Sequence, residues 1–135
     1  MTRATRGHDG PSHGGERGSA IAEFVMVGAL VLLVILALVQ LTLALWVRTM
    51  LIDAAAEGAR YAALEGSSLE EGTQRTREVI AMSLGAGYEE SVTARAEDAA
   101  GWGVIVVEVQ APMPVLGLLG PSGGLSVTGR AAVEQ

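Results

Sequence analysis

An uncharged run from Phe24 to Val47 constrains this chain more than any other feature of its sequence. As an α-helix, its 24 residues would rise about 36 Å, more than the roughly 30 Å hydrocarbon core of a bilayer. The run is rich in Leu and Val. Near its end lies Trp46, an interfacial aromatic residue, and the charged Arg48 follows directly after the run. A cleavable secretory signal has a shorter apolar core, and a buried soluble helix of this length seldom lacks charge. The run therefore predicts a transmembrane helix, which we assign to residues 19–47.

The segments on the two sides of this helix differ in character. Residues 1–18 are mostly Gly, Ser, Thr and Arg without apolar periodicity, so they are predicted to be a disordered leader. Residues 48–135 carry 12 acids against 6 Arg and form the predicted extracytoplasmic domain. Translocating the acidic domain and keeping the short leader inside is the simpler topology. The positive-inside rule gives little guidance here, because the Arg counts flanking the run are nearly balanced.

The long helix is predicted to continue beyond the membrane. Good helix formers follow Arg48 and no breaker occurs before Gly66, so we expect the helix to reach about residue 64. Glu57 and Arg60 have the i,i+3 spacing of an ion pair on this helix. A stripe of small and apolar residues would face the core of the domain: Leu51, Ala55, Ala59 and Ala62.

A second helix is predicted over residues 68–84. Ser68 has the capping-box relation to Glu71, and Gly85 follows the last apolar position as a stop signal. Glu71 and Arg75 are predicted to form an i,i+4 pair on its surface.

The hydrophobic period then changes to two. Strands are predicted over 92–97, 104–111 and 125–133, with a turn at 98–103 and a Pro- and Gly-rich loop between the last two strands. The predicted fold class is therefore an α+β membrane protein. It has a long N-terminal helix, a second short helix and a three-stranded antiparallel sheet.

Composition leaves little catalytic or ligand chemistry. The chain has no Cys, and Arg accounts for all 9 of its basic residues, so thiol catalysis, thiolate zinc sites and lysine chemistry are excluded. The only His residues, His8 and His13, lie in the predicted leader, where nothing would fix a metal site. A net charge of -6 argues against nucleic acid as a partner. We therefore expect no enzymatic activity, cofactor, metal or small-molecule substrate.

The boundary between leader and apolar run contains Glu23, the fifth residue after Gly18. One interpretation is a juxtamembrane acid that is stabilised by the helix macrodipole. The other supposes cleavage after Gly18, which would bring the new ammonium of Ser19 within one helical turn of the Glu23 carboxylate. A carboxylate that enters the bilayer edge needs such a partner, on its own chain or on a neighbouring one.

Two segments carry a family resemblance. Gly18, Ser19, Glu23 and Phe24, ahead of a long apolar helix, resemble the cleavage site of type IV prepilins. The segment that begins at Arg48 resembles the signature of TadE-like proteins, the pseudopilins of the tight-adherence (Flp) pilus assembly system. The signature positions in this chain are Arg48, Glu57, Gly58, Ala59, Arg60 and Tyr61.

The resemblance implies a fold and a role. The domain would be pilin-like, Gly18 and Ser19 would flank the cut made by prepilin peptidase, and Glu23 and Phe24 would serve recognition and assembly. The protein would be a minor pilin or pseudopilin that helps assemble or initiate a Tad-type pilus or a related secretion filament, with other pilin and Tad subunits as partners. It would lie in the cytoplasmic membrane as a single-pass protein, with its N-terminus cytoplasmic and its C-terminus extracytoplasmic, or in an extracellular pilus. The alternative is an uncleaved, signal-anchored surface or adaptor protein that does not polymerise.

Two features have more than one interpretation. The small residues Gly58 and Ala59 permit close helix approach, either to the chain's own sheet or to another subunit. Trp102, between two Gly, is either a turn aromatic residue or a binding residue.

Overall fold

The computed structural model describes Met1 and residues 14–88, 91–112 and 124–133. It divides into two compact units, Met1–Leu38 and Val39–Gln135. Five elements follow in chain order: α1 (Gly14–Ala63), α2 (Leu69–Leu84), β1 (Ser91–Ala99), β2 (Trp102–Pro112) and β3 (Gly124–Ala132).

Within the first unit, helix α1 is exposed wherever its side chains are described. Every side chain from residue 18 to residue 38 is exposed, including Phe24 at 78%. By length and composition, α1 is the one helix in the described part of the chain that is able to cross a membrane. These features fit a single-pass membrane protein.

Helix α1 starts earlier than the sequence predicted. It begins at Gly14, so residues 14–18 of the predicted disordered leader are helical, while residues 2–13 lie outside the described residues. The physical reason is cooperativity: each residue added to an existing helix gains one hydrogen bond without a new nucleus. The predicted end near residue 64 agrees with the observed end at Ala63.

Within the second unit, α1 has a covered face. Partial burial starts at Gln40, and Leu51 is fully buried. The predicted core stripe is confirmed, because all four of its members are buried. The complete set of buried α1 residues is Val47, Leu51, Ala54, Ala55, Gly58, Ala59, Ala62 and Ala63.

The second helix agrees with its prediction. The Ser68 backbone N–H donates to Glu71 Oε2 at 2.8 Å, and the Glu71 N–H donates to Ser68 Oγ at 3.2 Å, which completes the capping box. Ile80 is its largest buried apolar side chain. The predicted Glu71–Arg75 pair is wrong: Glu71 serves the cap, and Arg75 contacts Glu57 and Glu78 instead.

The three strands form an antiparallel meander in the order β1-β2-β3. Val92, Val109 and Val127 lie side by side in this register and are buried toward the helices. The predicted turn at 98–103 is too long. The strands extend to a two-residue turn at Ala100 and Gly101, whose φ angles are 56° and 86°.

The turn is short because a local bond closes it. Asp98 Oδ1 accepts from the Gly101 N–H at 2.8 Å, and two residues with positive φ are what the tightest β-hairpins use. The predicted Pro- and Gly-rich loop included Pro112 and Gly124, which are instead the last residue of β2 and the first of β3, paired with each other; residues 113–123 lie outside the described residues. The predicted fold class is confirmed, with two helices and a three-stranded antiparallel sheet.

Candidate functional site

The predicted cleavage and assembly residues lie together near the start of α1. Gly18 and Ser19 are exposed in its second turn, and apart from the adjacent helix backbone no heavy atom of the described residues lies within 4 Å of a Cβ built on Gly18. Ser19 and Glu23 have i,i+4 spacing, so they lie on one face of the helix. Glu23 and Phe24 are also exposed. The segment is accessible to another protein along its whole length.

The signature residues separate into two groups. Ala59 is fully buried and Gly58 is buried, whereas Arg48, Arg60 and Tyr61 are exposed. Glu57 is half-buried between the two helices, so the signature has one set of residues that packs and another that faces outward.

Glu57 connects the two helices through arginines. Its carboxylate lies 3.5 Å from the guanidinium of Arg60 on α1 and 3.5 Å from that of Arg75 on α2. Arg75 also lies 3.9 Å from Glu78. The predicted Glu57–Arg60 pair is confirmed. The four side chains are 39% to 67% exposed, so this network contributes little to stability.

Gly58 lies where α1 and α2 approach each other closely. A Cβ at Gly58 would lie 2.6 Å from the Gly72 carbonyl oxygen, and closer still to the Thr76 hydroxyl. A Cβ at Gly72 would in turn lie 2.8 Å from the Gly58 carbonyl oxygen. The Thr76 hydroxyl is buried and donates to the Gly72 carbonyl at 2.9 Å, so the crossing leaves it satisfied.

A second close approach joins α1 to the sheet. A Cβ at Gly129 of β3 would lie 2.5 Å from the Ala55 carbonyl oxygen, and closer still to the Ala55 carbonyl carbon and the Ala56 nitrogen. The small residues of the signature region therefore pack inside their own domain. Ala55 meets the sheet, whereas Gly58, for which the sequence left its own sheet or another subunit open, meets α2 instead.

Tyr61 lines a shallow groove between the helices. The groove has a volume of about 220 Å³ and is lined by Tyr61, Glu71, Gln74, Arg75 and Glu78. Its lining is charged and its tyrosine is 40% exposed. Trp102 lies elsewhere, as the first residue of β2 directly beyond the hairpin turn, and is 65% exposed.

The outward face of the sheet carries a polar network that sequence reasoning missed. Arg95 Nε donates to Glu97 Oε1 at 2.7 Å, and its Nη1 donates to Glu108 Oε2 at 3.3 Å. Hydrogen bonds from Gln110, Arg95 and Ser126 hold the pKa of Glu108 below its ordinary value. The bonds to Glu97 and Glu108 raise the pKa of Arg95. Register produces this face, because alternate residues of neighbouring strands meet on it.

Three contact residues also escaped sequence reasoning: Gly72, Thr76 and Gly129. The sequence signal for Gly72 was a glycine inside a predicted helix, and the signal for Gly129 was a glycine inside a predicted strand. Both patterns mark a close approach of another backbone. Among the described residues, no group of three or more His, Cys, Asp or Glu side chains is arranged to hold a metal ion. His8 and His13 lie outside the described part of the chain.

These features define a class: a protein with one helix able to span a membrane, which continues into a small α+β domain and packs there through glycine and alanine. The model of the family described as TadE-like protein matches residues 18–60. The family predicted from the residues is thereby confirmed over this segment, which contains the candidate cleavage site, the apolar run and most of the signature. No curated protein and no solved structure matches the chain. The match suggests involvement in the Tad pilus system.

Proposed function

We propose that this protein is a minor pilin or pseudopilin that helps assemble or initiate a Tad-type pilus or a related secretion filament. It acts as a non-enzymatic subunit that is anchored in the cytoplasmic membrane, with its α+β domain on the extracytoplasmic side. The observation that carries the proposal is the family match over residues 18–60, which includes the long apolar part of α1 that is exposed from residue 18 to residue 38.

The chemistry of assembly centres on Glu23. After cleavage between Gly18 and Ser19, the Ser19 ammonium becomes available to the Glu23 carboxylate of the same chain or of a neighbouring subunit. In an apolar helix bundle neither charge is tolerated alone, so the pair fixes how far one helix is shifted along another. The exposure of both residues supports this role, because nothing in the described fold covers them.

Processing gives the most direct test. We expect mass spectrometry of the membrane-extracted protein, from a host that has a prepilin peptidase, to find Ser19 at the N-terminus. Exposure of Gly18 and Ser19 makes the bond accessible. An intact leader in that host would favour the alternative, an uncleaved anchored adaptor that does not polymerise.

Topology is tested with a single thiol. The chain has no Cys, so Met82→Cys introduces one label at a side chain that is 74% exposed on α2. We expect an impermeant maleimide to label this variant before the cytoplasmic membrane is broken. Labelling that requires lysis would reverse the orientation and remove the extracytoplasmic role.

A further inference from the structure

The part of α1 that belongs to the second unit has a broad exposed side, and a row of four residues runs along it. Leu45 is 55% exposed and Ile52 is 38% exposed, and Thr42 and Thr49 are exposed beside them. These four residues follow the alternating three- and four-residue spacing of a coiled-coil seam. We call them the α1 seam; it ends at Ala56, which is half-buried.

The α1 seam is uncharged and its polar atoms are compatible with packing. The Thr49 hydroxyl donates to the Leu45 carbonyl at 2.9 Å, so Thr49 can turn its methyl group toward a neighbour. In the sequence the same spacing continues toward the N-terminus through Leu38, Ile35 and Val31, again without charge. The same three- and four-residue spacing therefore runs through the apolar run and continues past Val47 to Ile52.

Charges flank the seam on both sides. Arg48 and Asp53 are exposed, and within the described chain neither has an ion-pair partner. In heptad terms Arg48 takes a g position and Asp53 the following e position, five residues later. Two residues at this spacing do not face each other on one helix. Across two parallel helices in register, g and the following e′ are the positions that form interhelical ion pairs.

We propose that α1 docks through this seam on a second copy of the same chain, as a parallel, in-register pair in which Arg48 of each copy pairs with Asp53 of the other. Two copies with one span each insert in the same direction, so their helices are parallel without further constraint. Twofold symmetry then forms the pair twice, and the two pairs bracket Thr49 and Ile52. The proposal does not depend on cleavage at Gly18.

Cross-linking tests the occupant of the seam. In native membranes, Leu45→Cys and Ile52→Cys of the full chain should each form a disulfide-linked dimer of this protein when an oxidant is added. Met82→Cys, an exposed thiol on α2, serves as the matched control and should give little dimer. No dimer from either seam variant, or equal dimer from Met82→Cys, would overturn the proposal. So would a cross-link from Leu45→Cys to a different protein, since the seam would then bind another subunit.

Charge exchange tests the register. In the Leu45→Cys background, Arg48→Asp or Asp53→Arg alone places like charges opposite each other and should lower the dimer yield about fivefold. The double exchange restores opposite charges and should recover the yield. If either substitution acted only by disturbing the structure, the two losses of dimer yield would add in the double variant instead of being reversed. Unchanged yield in all three variants, or no recovery in the double one, would contradict the paired arrangement.

Discussion

Gly129→Ala is expected to unfold the α+β domain or to lower its thermal midpoint by at least about 12 °C. The added Cβ would meet the backbone of Ala55 and Ala56, and backbone atoms of a helix cannot rotate away as a side chain can. Overpacking of this kind costs about 3 kcal/mol or more, which is a large share of the stability of a small domain.

The same strand provides a matched control. A Cβ at Gly124 would lie 3.6 Å from the Ala111 carbonyl oxygen, an ordinary contact, so Gly124→Ala should change the midpoint little. The measurement is circular dichroism of the full chain in detergent as the temperature is raised, with the domain's strand signal as the observable. Equal midpoints for the two variants would show that α1 does not lie against β3 at Gly129.

Glu23→Gln is expected to insert into the membrane normally and to lose its association with partner subunits. The substitution keeps size and most hydrogen bonding but removes the charge that would pair with the Ser19 ammonium. An unpaired ammonium in an apolar helix bundle is costly, so the amount of partner that co-purifies should fall at least about tenfold. Cleavage should fall less than association if the carboxylate serves register more than recognition by the peptidase.

Glu65→Gln is the control for Glu23→Gln, since it removes the same charge from an exposed position beyond the end of α1. It should leave cleavage and co-purification unchanged. If Glu23→Gln protein is cut and co-purifies as the wild type does, Glu23 acts only as an acid that is stabilised by the helix dipole.

Local sequence signals predicted the elements of this fold well. Ser68 and Glu71 are three residues apart, and their mutual hydrogen bonds require nothing distant, so the start of α2 was predictable. The stripe of Leu51, Ala55 and Ala59 was predictable because residues four apart always lie on the same face of an α-helix. Short-range rules also correctly located the three strands.

Contacts between elements were less predictable. Arg75 has two acids within one turn on α2, and its choice of Glu57 depends on how α1 crosses α2. The crossing in turn depends on Gly58 and Gly72, whose pairing no local pattern specifies. For the candidate site, the sequence indicated Gly18 and Glu23 through their spacing ahead of the apolar run. It also placed Ala59 on the buried stripe, but it did not indicate that Gly58 packs on α2.

The contact between Gly129 and Ala55 also sets the order in which the domain can form. Each strand pairs with its neighbour in the chain, so the two hairpins need only short-range closure. By contrast, positions 55 and 129 lie 74 residues apart, and the later one belongs to the last strand. In the proposed orientation, α1 would leave the membrane first, and its face at Ala55 would lack the last strand until that strand followed. On the proposed function, a subunit would then become competent for assembly only after its C-terminal strand has crossed the membrane.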